Sequence, residues 1–289
     1  MDQRNIIVSV LALSSAISSG TSAILAKYST YKIKPLVVNF LRSLTGSIVL
    51  FMIISVINPN WYKNLLLYQV LIVLYIAFMG PFLAWYLYIK SLSLGDVSLV
   101  HPITNTYPFT AIIVAYFLIH EIPSIFDIVG GILILFGVKI ISSREKSKGK
   151  KISITPILYS IMVSILWGVN TTLFKFLLFN SNPLSLALLR SLFSAMIMFP
   201  IVIKNIGKEI KNTRYTFSAI GTGITSDTVG IILWLTSLQV GKVSNAAVLS
   251  STAPLFSAVF STIFLKERPP PKRWLGILIT IVGIVLVSL

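Results

Sequence analysis

Apolar residues fall in long unbroken runs along this chain, separated by short clusters of polar and basic residues. Runs of roughly 18–25 residues with few charges lie at about 5–28, 35–57, 68–90, 97–119, 124–142, 154–178, 183–203, 215–237, 243–265 and 272–289. A helix needs about 20 apolar residues to cross a bilayer, so the pattern predicts ten membrane-spanning helices joined by short loops. A spanning β-barrel would instead alternate apolar and polar residues in segments of about ten, whereas ILILFGVKII is apolar on every face. The first run continues past Lys27, which is too long for a signal-peptide core.

Sliding the second half back by 148 positions lays GVNTTLFK (168–175) on GTSAILAK (20–27), Pro183 on Pro35, and LRSL (189–192) on LRSL (41–44). At an offset of 146, SLQVGKVS (237–244) meets SLSLGDVS (91–98). The same shift pairs Pro254 with Pro108, Glu267 with Glu121, Gly276 with Gly130 and Gly283 with Gly137. A register held over nearly 50 residues indicates an internal duplication. The chain divides into repeats at 1–143 and 154–289 around a basic linker, 144–153. Five helices per repeat is an odd number, so the second repeat enters the membrane from the opposite side. Inverted repeats are a recurrent construction of secondary transporters, because two such halves can open a central site alternately to each side.

Composition agrees: 55% hydrophobic residues, 11% charged and a mean hydropathy of +0.89, against about 25% charged in soluble domains. No soluble catalytic domain fits beside ten spans. The formal charge of +16 is no nucleic-acid footprint, because the basic residues sit in gaps between apolar runs rather than along a helix face. Seventeen of the 24 basic residues fall in the odd-numbered loops, including Lys32, Lys34, Lys146, Lys148, Lys150, Lys151, Lys272 and Arg273. Only Arg4, Lys63 and Lys242 lie on the other side. The positive-inside rule therefore places the odd loops in the cytoplasm and both termini outside. The absence of cysteine excludes disulfides and thiolate chemistry.

Charges inside spans are costly and mark functional candidates. Asp227 stands mid-span in GITSDTVGII as the one carboxylate at that depth, suited to carry a coupling proton, to bind a substrate ammonium, or to pair with Arg42 or Arg190. Those two arginines each follow the proline that opens their helix by seven residues and, after inversion, approach from opposite faces; they read as long guanidiniums that reach the headgroups or cap a neighbouring helix end, or else as gate partners or attractors of a carboxylate. Snorkelling to the headgroups is the reading for Lys27 and Lys175. Asn170, beside Thr171 and Thr172, follows Gly168, and Asn105 precedes Pro108, which frees a backbone carbonyl one turn earlier; both asparagines suit a polar cavity. Trp85, Tyr86, Trp167 and Trp234 are candidates for its walls. His101 reads as a solvated interfacial residue, too far from His120 to share a metal, and Glu121 and Glu267 as helix-end contacts. An intramembrane enzyme is disfavoured for want of a second buried Asp, an HExxH, or a histidine convergent on GTSA.

In order and duplication these features resemble the EamA family of the drug/metabolite transporter superfamily. The resemblance rests on Gly20 and Trp167-Gly168 in the first helices, Leu41-Arg42 and Leu189-Arg190 in the second, and Pro108 with Glu121 and Pro254 with Glu267 in the fourth. The Gly-spaced fifth helices complete it. The first half departs in having Ser19 where the second has Trp167. The resemblance implies export or exchange of small metabolites, often amino acids, through a central cavity, without an ATPase or a cofactor. It also implies cytoplasmic termini, opposite to the charge count. The alternatives are a channel, a lipid scramblase, or an exporter of organic cations or drugs. The partners are a small-molecule substrate and the bilayer of the cell membrane; a monomer suffices, and oligomeric state stays open.

Overall fold

A computed structural model describes residues 3–63, 65–95, 97–142, 154–265 and 271–289, and helix is the regular structure throughout them. Helices occupy all ten predicted positions: α1 (Gln3–Ser29), α2 (Pro35–Ile57), α3 (Leu67–Leu94), α4a (Val97–Thr104) with α4b (Tyr107–Ile119), α5 (Ile125–Ser142), α6 (Ile154–Leu178), α7 (Pro183–Glu209), α8 (Thr213–Val240), α9a (Val243–Ser250) with α9b (Ala253–Leu265), and α10 (Pro271–Ser288). Among the described residues, eight of these positions carry helices long and apolar enough to cross a membrane; α10 contributes a shorter apolar helix, Trp274–Ser288, and α5 runs for 18 residues. The predicted linker and Glu267 lie outside the described residues.

Local chemistry sets the helix ends. Pro35 and Pro183 start α2 and α7, where a missing N–H costs nothing, and the Asn182 side chain caps α7 by accepting from Leu184 N at 2.8 Å. The third helix of each half ends at a glycine, Gly95 or Gly241, whose N–H bonds Ser91 or Ser237 at 2.8 Å. Here the snorkelling expected of Lys27 and Lys175 fails. The Lys27 ammonium donates to the carbonyls of Leu92 and Gly95, the second at 3.0 Å, and Lys175 donates to Leu238 at 2.7 Å and Gly241 at 2.6 Å. Each lysine turns inward because a helix C-terminus within reach offers unpaired carbonyls and a negative dipole end.

Two predicted helices are broken. Residues 97–119 and 243–265 each divide near the middle, one residue pair before Pro108 or Pro254. Proline deprives the carbonyl four residues back of its partner. Hydroxyls fold back on the loosened turn: Thr106 donates to Ile103 O at 2.8 Å, Thr252 to Leu249 O at 2.7 Å, and Ser251 to Val248 O at 2.7 Å.

The halves are related by inversion, and helix contacts show it directly. In α5 and α10, Gly130 packs on Gly283 and Gly137 on Gly276, so moving forward along one helix moves backward along the other. These are equivalent helices of the two repeats, and they run antiparallel. A Cβ on Gly283 would lie 2.8 Å from Gly130 O, and one on Gly137 would lie 2.7 Å from Gly276 O, so only glycine permits the approach. The second helices repeat the arrangement: Phe40 faces Phe199 with ring centroids 6.2 Å apart, while Ser43 Oγ meets Ser194 Oγ at 3.3 Å. Helix α1 packs through Gly20 on α9b, and α6 through Gly168 on α4b. The cavity and the buried charges lie among the contacts of α1, α2, α4, α6 and α7, and α5 and α10 stand apart from them.

Candidate functional site

Two π-helical turns face each other across the middle of the bundle, Phe78–Ala84 in α3 and Gly223–Gly230 in α8. The 146-residue offset superposes them and lays Asp227 on Pro81. Pro81 lacks the N–H an α-helix requires, and widened turns of this kind gather at functional sites. Their loosened carbonyls are taken up by neighbouring helices. Asn39 Nδ2 donates to Pro81 O at 2.8 Å and Phe82 O at 3.1 Å, Ser15 Oγ to Gly230 O at 2.9 Å, and Ser18 Oγ to Thr225 O at 2.6 Å.

Asp227 Oδ1 receives both arginines, Arg42 through Nη1 and Arg190 through Nη2. The two positions matched by the LRSL repeat thus meet on one carboxylate. Gly46 makes room for it: a Cβ there would fall 2.5 Å from Asp227 Cβ. Arg42 is fully buried and held on every side. Its Nε donates to Asn39 Oδ1 at 3.0 Å, its Nη2 to Ser43 Oγ at 3.2 Å and to Pro81 O at 3.1 Å, and its guanidinium lies 4.0 Å over the Trp85 ring. Arg190 is 6% exposed, and its Nε has no partner among the described residues.

Beside this cluster is a cavity of about 140 Å³. Its lining includes Trp85, Asn105, Trp167, Asn170, Arg190, Asp227 and Trp234, all of them candidates from the sequence, together with Thr171. Tyr86 is not among the lining residues; it sits beside Lys90, whose Nζ is 5.6 Å from the ring. Arg42 does not line the cavity either and stands behind Asp227. The aromatic wall is continuous, with Trp167 centred 5.8 Å from Trp85 and 6.3 Å from Tyr107, and Trp234 centred 5.7 Å from Phe174. Both amide atoms of Asn170 and Oδ2 of Asp227 are buried without a hydrogen-bond partner among the described residues. Asn105 is half committed, its Nδ2 donating to His101 O at 2.7 Å.

Some candidates serve elsewhere. His101 is buried rather than interfacial, with Nδ1 3.3 Å from Ser257 Oγ, because the break in α4 draws α4a against α9b. Thr172 donates to Ala111 O at 3.1 Å and joins α6 to α4b. Glu121 accepts from Ser244 N at 3.2 Å, the helix-end contact expected of it, and borders a second polar cavity of about 380 Å³ near the termini. Sequence reasoning passed over Ser15, Gly80, Pro81, Tyr107, Phe174 and Ser226 as lining residues. Gly80-Pro81 inside an apolar run, aligned with Asp227 by the repeat, was the available signal.

The model of the EamA-like transporter family matches twice, over residues 6–143 and 154–289. The chain belongs to the EamA-like transporter family. An uncharacterized transporter of Archaeoglobus fulgidus is 27% identical over 202 residues, 70% of each chain. An S-adenosylmethionine uptake transporter of Rickettsia bellii is 28% identical over 119 residues, 41% of this chain and 40% of that one. One crystal structure aligns over 96% of this chain and 95% of its own with a TM-score of 0.79 at 15% identity, which shows a shared fold. As an EamA-type transporter, this is a multi-pass membrane protein whose function is the movement of solutes.

Proposed function

We propose that this EamA-type transporter is a secondary active carrier. It exports or exchanges small amphipathic metabolites, amino acids being the first class to test, across the cell membrane by alternating access. The observation that carries the reading is the position of the cavity: it lies at the convergence of two inverted halves, with an ionic cluster joining α2, α7 and α8 at its side. Such a cluster costs free energy to bury unless it is fully paired, and halves that rock about it can expose it to either face in turn. Repeats 1–143 and 154–289 are the two rocking bodies, each keeping its lysine-capped third helix. Trp85, Trp167 and Trp234 receive the apolar part of the solute, Asn105 and Asn170 its polar part, and Arg42, Asp227 and Arg190 form the coupling and gating element. Arginine pairing of Asp227 disfavours a simple organic cation held by that carboxylate alone. The basic odd loops face the cytoplasm.

Counterflow in proteoliposomes tests the carrier. Vesicles preloaded with unlabelled solute should transiently concentrate labelled solute from a panel of amino acids, carboxylates and amines, and uptake should saturate. Unsaturable flux or lipid flipping would replace the carrier with a channel or a scramblase.

A further inference from the structure

The cluster beside the cavity holds two guanidinium groups and one carboxylate, so its charges do not cancel. Asp227 Oδ1 is shared by Arg42 and Arg190, and one positive charge is left over in a site from which water is largely excluded. Among the described residues lining the cavity, Asp227 is the only carboxylate. The surplus falls on one residue. Arg42 spends its donors on Asp227, Asn39, Ser43 and Pro81 and stacks on Trp85. Arg190 reaches Asp227 through Nη2, leaves Nε without a partner among the described residues, and borders the cavity. Asn170 borders the same cavity with both amide atoms buried and unpaired. Buried polar groups are almost always satisfied, and a guanidinium edge satisfies itself best on a planar anion.

We infer that the cavity is a carboxylate subsite: the solute must bring a carboxylate, which takes the free edge of Arg190 and the amide of Asn170, and it needs no cationic group. The inference rests on the carrier reading for what the cavity does, and it assigns the chemical class of what enters. A monocarboxylate brings the cluster to neutrality. An amine without a carboxylate raises the buried charge further, with Asp227 already shared between two arginines. The aromatic wall of Trp85, Trp167 and Trp234 then takes an apolar body attached to that carboxylate.

The test uses four ligands of one skeleton on the purified full chain: 3-phenylpropanoate, phenylalanine, 3-phenylpropanamide and phenethylamine. Thermal midpoints are read against concentration at constant ionic strength. The two carboxylates should raise the midpoint, with half-maximal concentrations at least about tenfold below that of the neutral amide, the minimum for one charge-assisted hydrogen bond. Phenethylamine should give no shift. Arg190→Lys should weaken carboxylate binding by about tenfold, and Arg190→Gln should abolish it. If either variant does not fold, the four-ligand comparison on the natural chain decides. Equal shifts from amide and carboxylate, a larger shift from the amine, or no shift across monocarboxylates from acetate to 4-phenylbutanoate would overturn the subsite. Counterflow of amines but not carboxylates would overturn the subsite while sparing the carrier. Carboxylate-induced shifts in a protein that exchanges no solute would do the reverse.

Discussion

Replacing Asp227 by asparagine removes one charge and almost no volume, and the surroundings set the cost. Asp227 and Arg42 are fully buried and Arg190 is nearly so. Arg42 cannot swing away, because Asn39, Ser43, the Pro81 carbonyl and the Trp85 ring hold it from other sides. Asp227→Asn therefore leaves two guanidiniums facing a neutral amide. Removing one partner of a buried pair costs about 3–5 kcal/mol, and repulsion between the arginines acts in the same direction. The expected loss for Asp227→Asn is at least about 3 kcal/mol. It can be read from SDS titration of the protein in mixed lipid–detergent micelles, followed by tryptophan fluorescence. A double-mutant cycle separates charge from packing: Arg42→Gln added to Asp227→Asn should recover part of the loss, giving a coupling energy above about 1 kcal/mol, where independent sites add within about 0.5 kcal/mol. An Asp227→Asn protein within about 1 kcal/mol of the natural chain, or additive behaviour in the cycle, would refute the cluster as a coupled unit.

Gly137→Val should cost about 1–3 kcal/mol or more in the same titration, because the new side chain meets Gly276 O and Thr280 of α10; an unchanged midpoint would show that α5 and α10 do not depend on this close approach. Lys27→Met and Lys175→Met should each lose about 1.5–3 kcal/mol, the range for hydrogen bonds to a charged group; losses near zero would return these lysines to the lipid headgroups. Labelling from outside intact cells reads orientation without background, since the chain has no cysteine. Asn60→Cys should be labelled and Ser147→Cys protected, and the reverse pattern would reject the orientation drawn from charge.

Spans, duplication and inversion were legible in the sequence because lipid imposes a simple rule, about 20 apolar residues per crossing, and because Gly, Pro and LRSL recur in one register. The charged and amide residues of the cavity wall were legible for a related reason: a polar or charged residue inside an apolar run is expensive, so Asp227, Arg190, Asn105 and Asn170 stood out against their surroundings. Three features escaped, each for a physical reason. The π-helical turns depend on which neighbouring side chains donate to the loosened carbonyls, and Asn39, Ser15 and Ser18 come from other helices. Breaks in the fourth and ninth helices need hydroxyls as well as Pro108 and Pro254, and serine and threonine are too common in this chain to mark them. Lysine direction depends on a helix end nearby in space: Lys27 is 65 residues from Leu92, and sequence alone offers only the membrane surface as an alternative.

Alternating access requires the central cavity to open to both faces in turn. Ser226→Cys places a single thiol on the cavity wall, next to Asp227. A membrane-impermeant thiol reagent, added to right-side-out and separately to inside-out vesicles, should modify it from either side, while a thiol-bearing dye trapped in the lumen stays unmodified. Modification from one face only, or reagent reaching the trapped dye, would contradict alternating access.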